Sequence, residues 1–454
     1  MKTTRRRILR VLTAGAAAAV AGLPTVEALG EVTRAESEEF FVFLIAAGGW
    51  DVTLWSDPRN EARGIIHPAS TENTDTTALK RWVDAPLGDA GFHTFELVRP
   101  PRSNLVFGPG IGDLADMADR ITVVNGLEMD TVAHPDGQIF STTGRHPLGG
   151  RSAQASVDTI LANELGRDQL FPAVSVRFPS VYAGDHLDRR VVPLAIDDVA
   201  GISRTLARAP SYDADPERDR VTALLSEEAR DLARRSAYPG VIDGIRLQYD
   251  ALRRMLGSGL QDVFSGSGLR AAHPEFDYGS RLVGGPAVNA AFAVEAMKRN
   301  VVRCVSFAVG GFDTHNTNYR GQALLQQETF CLVAALVRSL DAAPHPTLAG
   351  QKLSDHCHLL MVSDFCRTPQ INLGMGRDHY PNNSALIVSP RFRGNLAYGK
   401  TDEEQLLPQA VRTFSDGPRA MAPPDLLATF LAAFRVDPRA YLRDGEVVPE
   451  LLRR

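Results

Sequence analysis

Phe40-Phe41-Val42-Phe43-Leu44-Ile45-Ala46-Ala47 runs directly into Gly48-Gly49-Trp50-Asp51. Far along the chain, Val301-Val302-Arg303-Cys304-Val305-Ser306-Phe307-Ala308-Val309 runs into Gly310-Gly311-Phe312-Asp313-Thr314-His315. Each is a nearly continuous apolar run with β-branched and aromatic residues, the pattern of a central strand covered on both faces. Each then meets glycines, an aromatic and an aspartate. A carboxylate straight after such a strand sits at its carboxyl end, where open α/β sheets build their ligand crevice.

Other strands are expected at 120–125, 358–363 and 385–388. Helices are expected at 152–165, 286–299, 322–340 and 424–435. In the 322–340 segment, Leu324, Leu325, Phe330, Val333, Leu336, Val337 and Leu340 form a wide apolar stripe. Alternation of strands and helices predicts an α/β fold, a mostly parallel central sheet with helices on both faces. Residues 55–105 are polar and rich in turn formers, which suits a surface excursion. Residues 212–265 are charged and amphipathic and read as a helical insertion, with arginines interspersed among acids.

The first residues read as an address. Thr4-Arg5-Arg6-Arg7-Ile8-Leu9-Arg10 has the order and spacing of a twin-arginine export signal, and Val11 to Leu23 is too short and too weakly apolar to span a membrane. Cleavage after Val26-Glu27-Ala28 would leave one domain over 29–454, located in the periplasm or outside the cell. The signal carries five basic residues and one acid, so its removal takes the formal charge from −5 to −9. A mildly acidic chain gives no support to nucleic-acid binding. Cys304, Cys331, Cys357 and Cys366 include no C-x-x-C pair. Cys304, Cys331 and Cys357 read as core thiols, and a disulfide framework is not expected.

Asp51 and Asp313 have company at other strand ends. His315 lies two residues past Asp313. Asp364 follows the strand ending at Ser363, with Arg367 three residues on. Asp378 and His379 sit in the glycine-rich turn before the strand at 385. One aspartate after a strand is ordinary turn chemistry, but several Asp and His gathered this way form a hard-to-borderline metal set. His134 precedes Pro135 and Asp136, a helix-start pattern. That places it where backbone N–H groups favour an anion. Arg367 is a candidate clamp for an oxyanion. His356 and His358 fall at the start of a strand, the wrong end for the crevice.

With these motifs in place, the chain resembles the uncharacterised domain-of-unknown-function family 1501, from about residue 40 to 400. That family is grouped with the alkaline phosphatase and sulfatase superfamily. The resemblance implies an alkaline phosphatase-like fold and a divalent metal site of one or two ions: zinc, manganese, calcium or magnesium. It implies Asp51, Asp313, His315, Asp364 and His379 as metal ligands. Thr143-Gly144-Arg145-His146-Pro147 is similar to the sulfatase Thr-Gly-Arg-x-Pro, and counting back ten from Gly144 places His134 at the superfamily's nucleophile position. Three departures accompany the likeness. His134 replaces Ser, Thr or the sulfatase cysteine, Phe365 stands where His is common, and Asp313 and His315 are two apart rather than four.

The expected function is an exported metal-dependent hydrolase of phosphate or sulfate esters, acting on a small anionic ester or a sulfated or phosphorylated polymer. His134 would be a ligand, a base or a phosphoryl acceptor, and Arg367 would steady the anion. The alternative is a non-catalytic envelope or extracellular binding protein on a degenerate hydrolase scaffold. An oxidoreductase finds little support, because no Gly-x-Gly-x-x-Gly follows a strand.

Overall fold

The computed structural model describes residues 38–59, 79–81, 84–87, 92–184, 186–199, 227 and 263–453. The expected export signal lies outside the described residues, as does nearly all of the expected helical insertion. The strands in chain order are β1 (Phe40–Ala47), β2 (Asp84–Leu87), β3 (Phe92–Phe95), β4 (Ile121–Glu128), β5 (Phe171–Val176), β6 (Leu194–Ile196) and β7 (Val302–Gly310). They continue with β8 (Cys357–Ser363), β9 (Cys366–Arg367), β10 (His379–Tyr380), β11 (Asn382–Val388), β12 (Leu396–Tyr398), β13 (Arg412–Phe414) and β14 (Gly417–Arg419). The helices that matter below are α1 (His134–Thr143), α2 (Val157–Leu165), α3 (Gly266–Ala272), α4 (Gly284–Lys298), α5 (Leu324–Ala342) and α6 (Pro423–Ala432).

Eight strands make one sheet in the order β12-β4-β11-β8-β1-β7-β5-β6. Seven run the same way, and β11 alone runs against its neighbours β4 and β8. The sheet is therefore mostly parallel, as the apolar runs predict.

Alternate side chains of β1 explain why its whole length is apolar. Phe40, Val42, Leu44 and Ala46 enter a core with Phe292 and Met297 of α4 and Phe330 and Val333 of α5. Phe41, Phe43 and Ile45 enter a second core with Ile160 of α2 and Leu427 and Phe430 of α6. Helices thus cover both faces. Full burial of each large apolar side chain contributes about 1.5–3 kcal/mol. The segment Gly321–Ala342 is long and apolar enough to cross a membrane, but 72% of its window is buried inside the protein. It is a core helix here.

Register fixes where the corners fall. Ala47 of β1 pairs with Gly310 of β7, and Ala46 pairs with Ser363 of β8. The three central strands therefore end flush, and Gly48, Gly311 and Asp364 leave the sheet at one level. Gly48 has φ +118°, and a Cβ there would overlap the Asp313 backbone nitrogen. Only glycine permits both that conformation and that approach. Because β11 is reversed, the residues before it, including His379, arrive at the same edge.

Candidate metal centre

His134 opens α1, with Pro135 and Asp136 in its first turn and Gly144 closing it in the left-handed conformation (φ 72°). The helix can lie against the β8 corner because Gly137 has no side chain; a Cβ there would overlap the Asp364 carbonyl. Ser141 Oγ donates to the Ser363 carbonyl at 2.7 Å and fixes the same contact.

The centre is built around Asp313 Oδ1. His315 Nε2 lies 3.1 Å from it, His379 Nε2 3.4 Å and His134 Nε2 3.5 Å. Arg367 Nη2 donates to the same oxygen at 2.6 Å. His315 Nε2 and His379 Nε2 are 2.9 Å apart. In all three rings the other nitrogen is tied back. His134 Nδ1 bonds Asp364 Oδ2 at 2.7 Å, and His315 Nδ1 bonds Asp378 Oδ1 at 2.8 Å. His379 Nδ1 donates to the Val132 carbonyl at 2.7 Å. A hydrogen bond from Nδ1 to an acceptor leaves the Nε2 lone pair free, so three lone pairs converge on one carboxylate. Metal-binding histidines are oriented in this way.

His134, Asp313 and His379 offer ligand atoms within 4.8 Å of one another, a triad able to hold a metal ion. A tetrahedral ion about 2.0–2.1 Å from nitrogen and oxygen ligands separates them by about 3.4 Å. The observed Nε2–Oδ1 distances of 3.4 and 3.5 Å fit that spacing. His134 Nε2 is also buried without a hydrogen-bond partner, which a cation would satisfy.

Electrostatics separate the rings. The hydrogen bond to Asp364, with the charges of Asp364 and Asp313, raises the His134 pKa against the opposing effect of burial. Burial pushes His379 down, and the charges of His134 and Arg367 act the same way. Burial would raise Asp313, but the Arg367 hydrogen bond and charge, with His134 and His315, hold it below the usual carboxylate value. A hydrogen bond from His315 lowers Asp378. The centre opens to solvent: the Asp313 side chain is 50% exposed and that of His315 43%. Its floor is the fully buried Phe365, whose ring lies 4.8 Å from His134 and 4.7 Å from His379.

Several expected site residues do other work. Contrary to the expectation that Asp51 binds metal, its oxygens are occupied. Oδ1 accepts from the Thr53 N–H (3.0 Å) and hydroxyl (2.6 Å). Oδ2 accepts from Asn318 Nδ2 at 2.7 Å and lies 3.2 Å from Arg377 Nε. Fully buried, Asp51 is the N-cap of the short turn Val52–Leu54 and the counter-ion of Arg377.

Arg367 is likewise no free oxyanion clamp. Its Nε donates to the Gly49 carbonyl and Nη1 to the Arg377 carbonyl, at 3.0 and 3.1 Å. Its Nη2 bonds the Gly48 carbonyl as well as Asp313. It holds the glycine corner and aims the central carboxylate.

Asp364 orients His134 through Oδ2, which also accepts from Gly48 N (3.0 Å) and Gln138 Nε2 (3.2 Å). Its Oδ1 is buried without a partner. Asp378, a candidate beside His379 in the sequence, instead aims His315, and the Val132 carbonyl, which aims His379, was not among the expected site groups. Gln322 and Gln326 were missed too, although polar residues four apart in an apolar stripe were a visible signal. They brace Asp51, with Gln322 Oε1 accepting from its N–H and Gln326 Nε2 donating to its carbonyl. Cys331 is only half-buried, unlike Cys304, Cys357 and Cys366, and all four thiols are free.

Fold and site together define an α/β protein with a histidine–aspartate centre, suited to one cation, at the carboxyl edge of a mostly parallel sheet. The chain belongs to the family described as "Protein of unknown function (DUF1501)", whose model matches residues 41–446. No curated protein matches it. Among solved structures it is similar to the crystal structure of Ps i-CgsB in complex with k-i-k-neocarrahexaose. Identity is 11%, over 88% of this chain and 72% of that one, with a TM-score of 0.36.

Proposed function

We propose that the chain is a metal-dependent hydrolase of phosphate or sulfate esters, on an alkaline phosphatase-like scaffold and exported by the twin-arginine route. The observation that carries this reading is the convergence of three Nε2 lone pairs on Asp313, each ring fixed by its other nitrogen. Catalytic centres keep an open position, whereas structural ones are closed, and this one faces solvent. A divalent ion held by His134, Asp313 and His379 would supply Lewis-acid polarisation of an ester oxygen.

The chain's own groups supply the rest. Asp364 fixes the His134 ring, and Val132 fixes the His379 tautomer with Nε2 facing the centre. His315, held by Asp378 at the exposed rim, is placed to take the proton from the attacking water. Water adds to phosphorus or sulfur, the ester P–O or S–O bond breaks, and the alkoxide leaves with that proton. Phe365 closes the floor against water from below.

The second reading, a binding protein on a retired hydrolase scaffold, draws on the engaged Arg367 and on a histidine at the nucleophile position. Protein exported by its own signal separates the two. The hydrolase reading predicts bound divalent metal and turnover of a phosphate- or sulfate-ester panel, both lost in Asp313→Ala with His379→Ala. Metal-free protein from that source, or turnover indifferent to the double substitution, overturns it.

A further inference from the structure

A second concave site lies beyond the other end of α1. A cavity of about 240 Å³ is lined by Arg145, Gln154, His186, Tyr441, Arg439 and Arg443, among others. Arg145 follows the Gly144 cap of α1. The ten residues of α1 rise about 1.5 Å each, so Arg145 stands roughly 15 Å along the helix from His134.

Its walls are held by internal bonds. The buried Gln154 donates through Nε2 to the Thr143 carbonyl, and its Oε1 accepts from the Arg443 N–H at 3.1 Å. One side chain thus ties the end of α1 to the 439–443 segment. The Tyr441 hydroxyl bonds Glu164 and accepts from Asn163 Nδ2 at 3.0 Å, anchoring that segment to α2.

Arg145 is half-buried, and Arg439 and Arg443 are exposed at the rim of the cavity. Among the described residues, none of the guanidinium groups of Arg145, Arg439 and Arg443 has a hydrogen-bond or ion-pair partner. Neither Asp437 nor Asp444 lines the cavity. Asp437 instead caps the turn Pro438–Ala440, accepting from the Arg439 N–H.

We propose that this cavity is an oxyanion-binding site for a phosphate or sulfate group, separate from the histidine–aspartate centre. Three arginines on the lining of one concavity carry forked donors of the kind that match tetrahedral oxyanions. The volume falls below the roughly 300–1,000 Å³ of drug-sized ligand sites. It suits one charged group and the unit bearing it. The proposal stands whether or not the other centre is catalytic. A polyanion could engage both sites at once, and that second contact would add avidity without altering the chemistry.

The test is titration calorimetry on the full mature chain at low ionic strength, after chelator treatment. The probes are sodium phosphate, sodium sulfate, dextran sulfate and neutral dextran. The expected result is binding of the two inorganic anions, tighter binding of dextran sulfate and none of neutral dextran. Arg439→Ala with Arg443→Ala weakens anion binding at least about tenfold, with an unchanged thermal melt. Arg281→Ala, at an exposed arginine outside the cavity lining, leaves it intact. His379→Ala also retains it. Equal affinity in the double arginine variant overturns the proposal, as does loss of binding in His379→Ala, which would put the anion at the other centre. Inorganic anions binding without a gain for dextran sulfate would assign the site to a free anion rather than to a polymer-borne ester.

Discussion

Replacing Asp364 by Asn tests whether the centre is aimed from beneath. Asp364 is fully buried, and one of its oxygens serves Gly48 N, His134 Nδ1 and Gln138 Nε2 at once. The substitution keeps the shape and removes the charge. The His134 bond then changes from charge-assisted to neutral, a loss of about 1–2 kcal/mol. Unfolding entropy of about 2.1 cal/mol/K per residue gives this 454-residue chain roughly 0.9 kcal/mol/K. The melting point should therefore fall only about 1–2 °C. The site should respond far more. Loss of a partner that orients a ligand lowers metal affinity about 10–100-fold. The Asp364 carboxylate is also the main cause of the raised His134 pKa, so the ring should titrate at lower pH in the metal-free variant. The assays are zinc and manganese titration calorimetry, NMR titration of the His134 ring and scanning calorimetry. Wild-type metal affinity with an unmoved His134 titration would refute the reasoning. A loss far beyond about 100-fold would show that the unpartnered Oδ1 binds the ion directly.

Asp51→Ala should cost about 3–5 kcal/mol, because it removes one side of a buried ion pair with Arg377, while metal affinity measured below the melting transition stays near wild type. A matching collapse of metal affinity would return Asp51 to the ligand set. Gly48→Ala should lose about 3 kcal/mol or more from φ strain and the overlap with Asp313, and an unaltered melt would show that the corner can relax. The buried pair His273 and Glu295, with the exposed Glu275, sets a pH window. Its hydrogen bonds hold Glu295 down at about 2 from 4.5, and the two glutamates raise His273 against the effect of burial. The Glu295 contribution is complete above its unfolded value and is lost as pH falls toward 2. The His273 contribution is complete below its unfolded value and is lost as pH rises through the raised one. Their joint contribution should be largest between about pH 4.5 and 6.5, and His273→Gln should lower the melting temperature most inside that window.

The central strands were legible because burial on both faces makes β1 and β7 apolar along their whole length. The start of α1 was legible from His134-Pro135-Asp136. β5 and β6 were not anticipated, since Phe171–Val176 is short and Leu194–Ile196 has only three residues. The reversal of β11 was invisible because strand direction leaves no mark on the short apolar run at 385–388. At the site, residue types were legible and partnerships were not. Asp51 and Arg367 carry the same signature as Asp313, a charged group just past a strand. Their ion-pair partners, Arg377 and Asp313, lie far away in sequence. Asp378 looked like one more candidate ligand, and only the position of the His315 ring shows it to be a support.

The reversed strand has a temporal consequence. His134 emerges early in synthesis, whereas Asp313 and His379 follow much later, and His379 reaches the centre only when β11 has slotted between β4 and β8. A chain interrupted before that insertion holds isolated histidines with no common focus. Loading at this centre would therefore report completion of the fold, marking finished molecules and passing over unfinished ones.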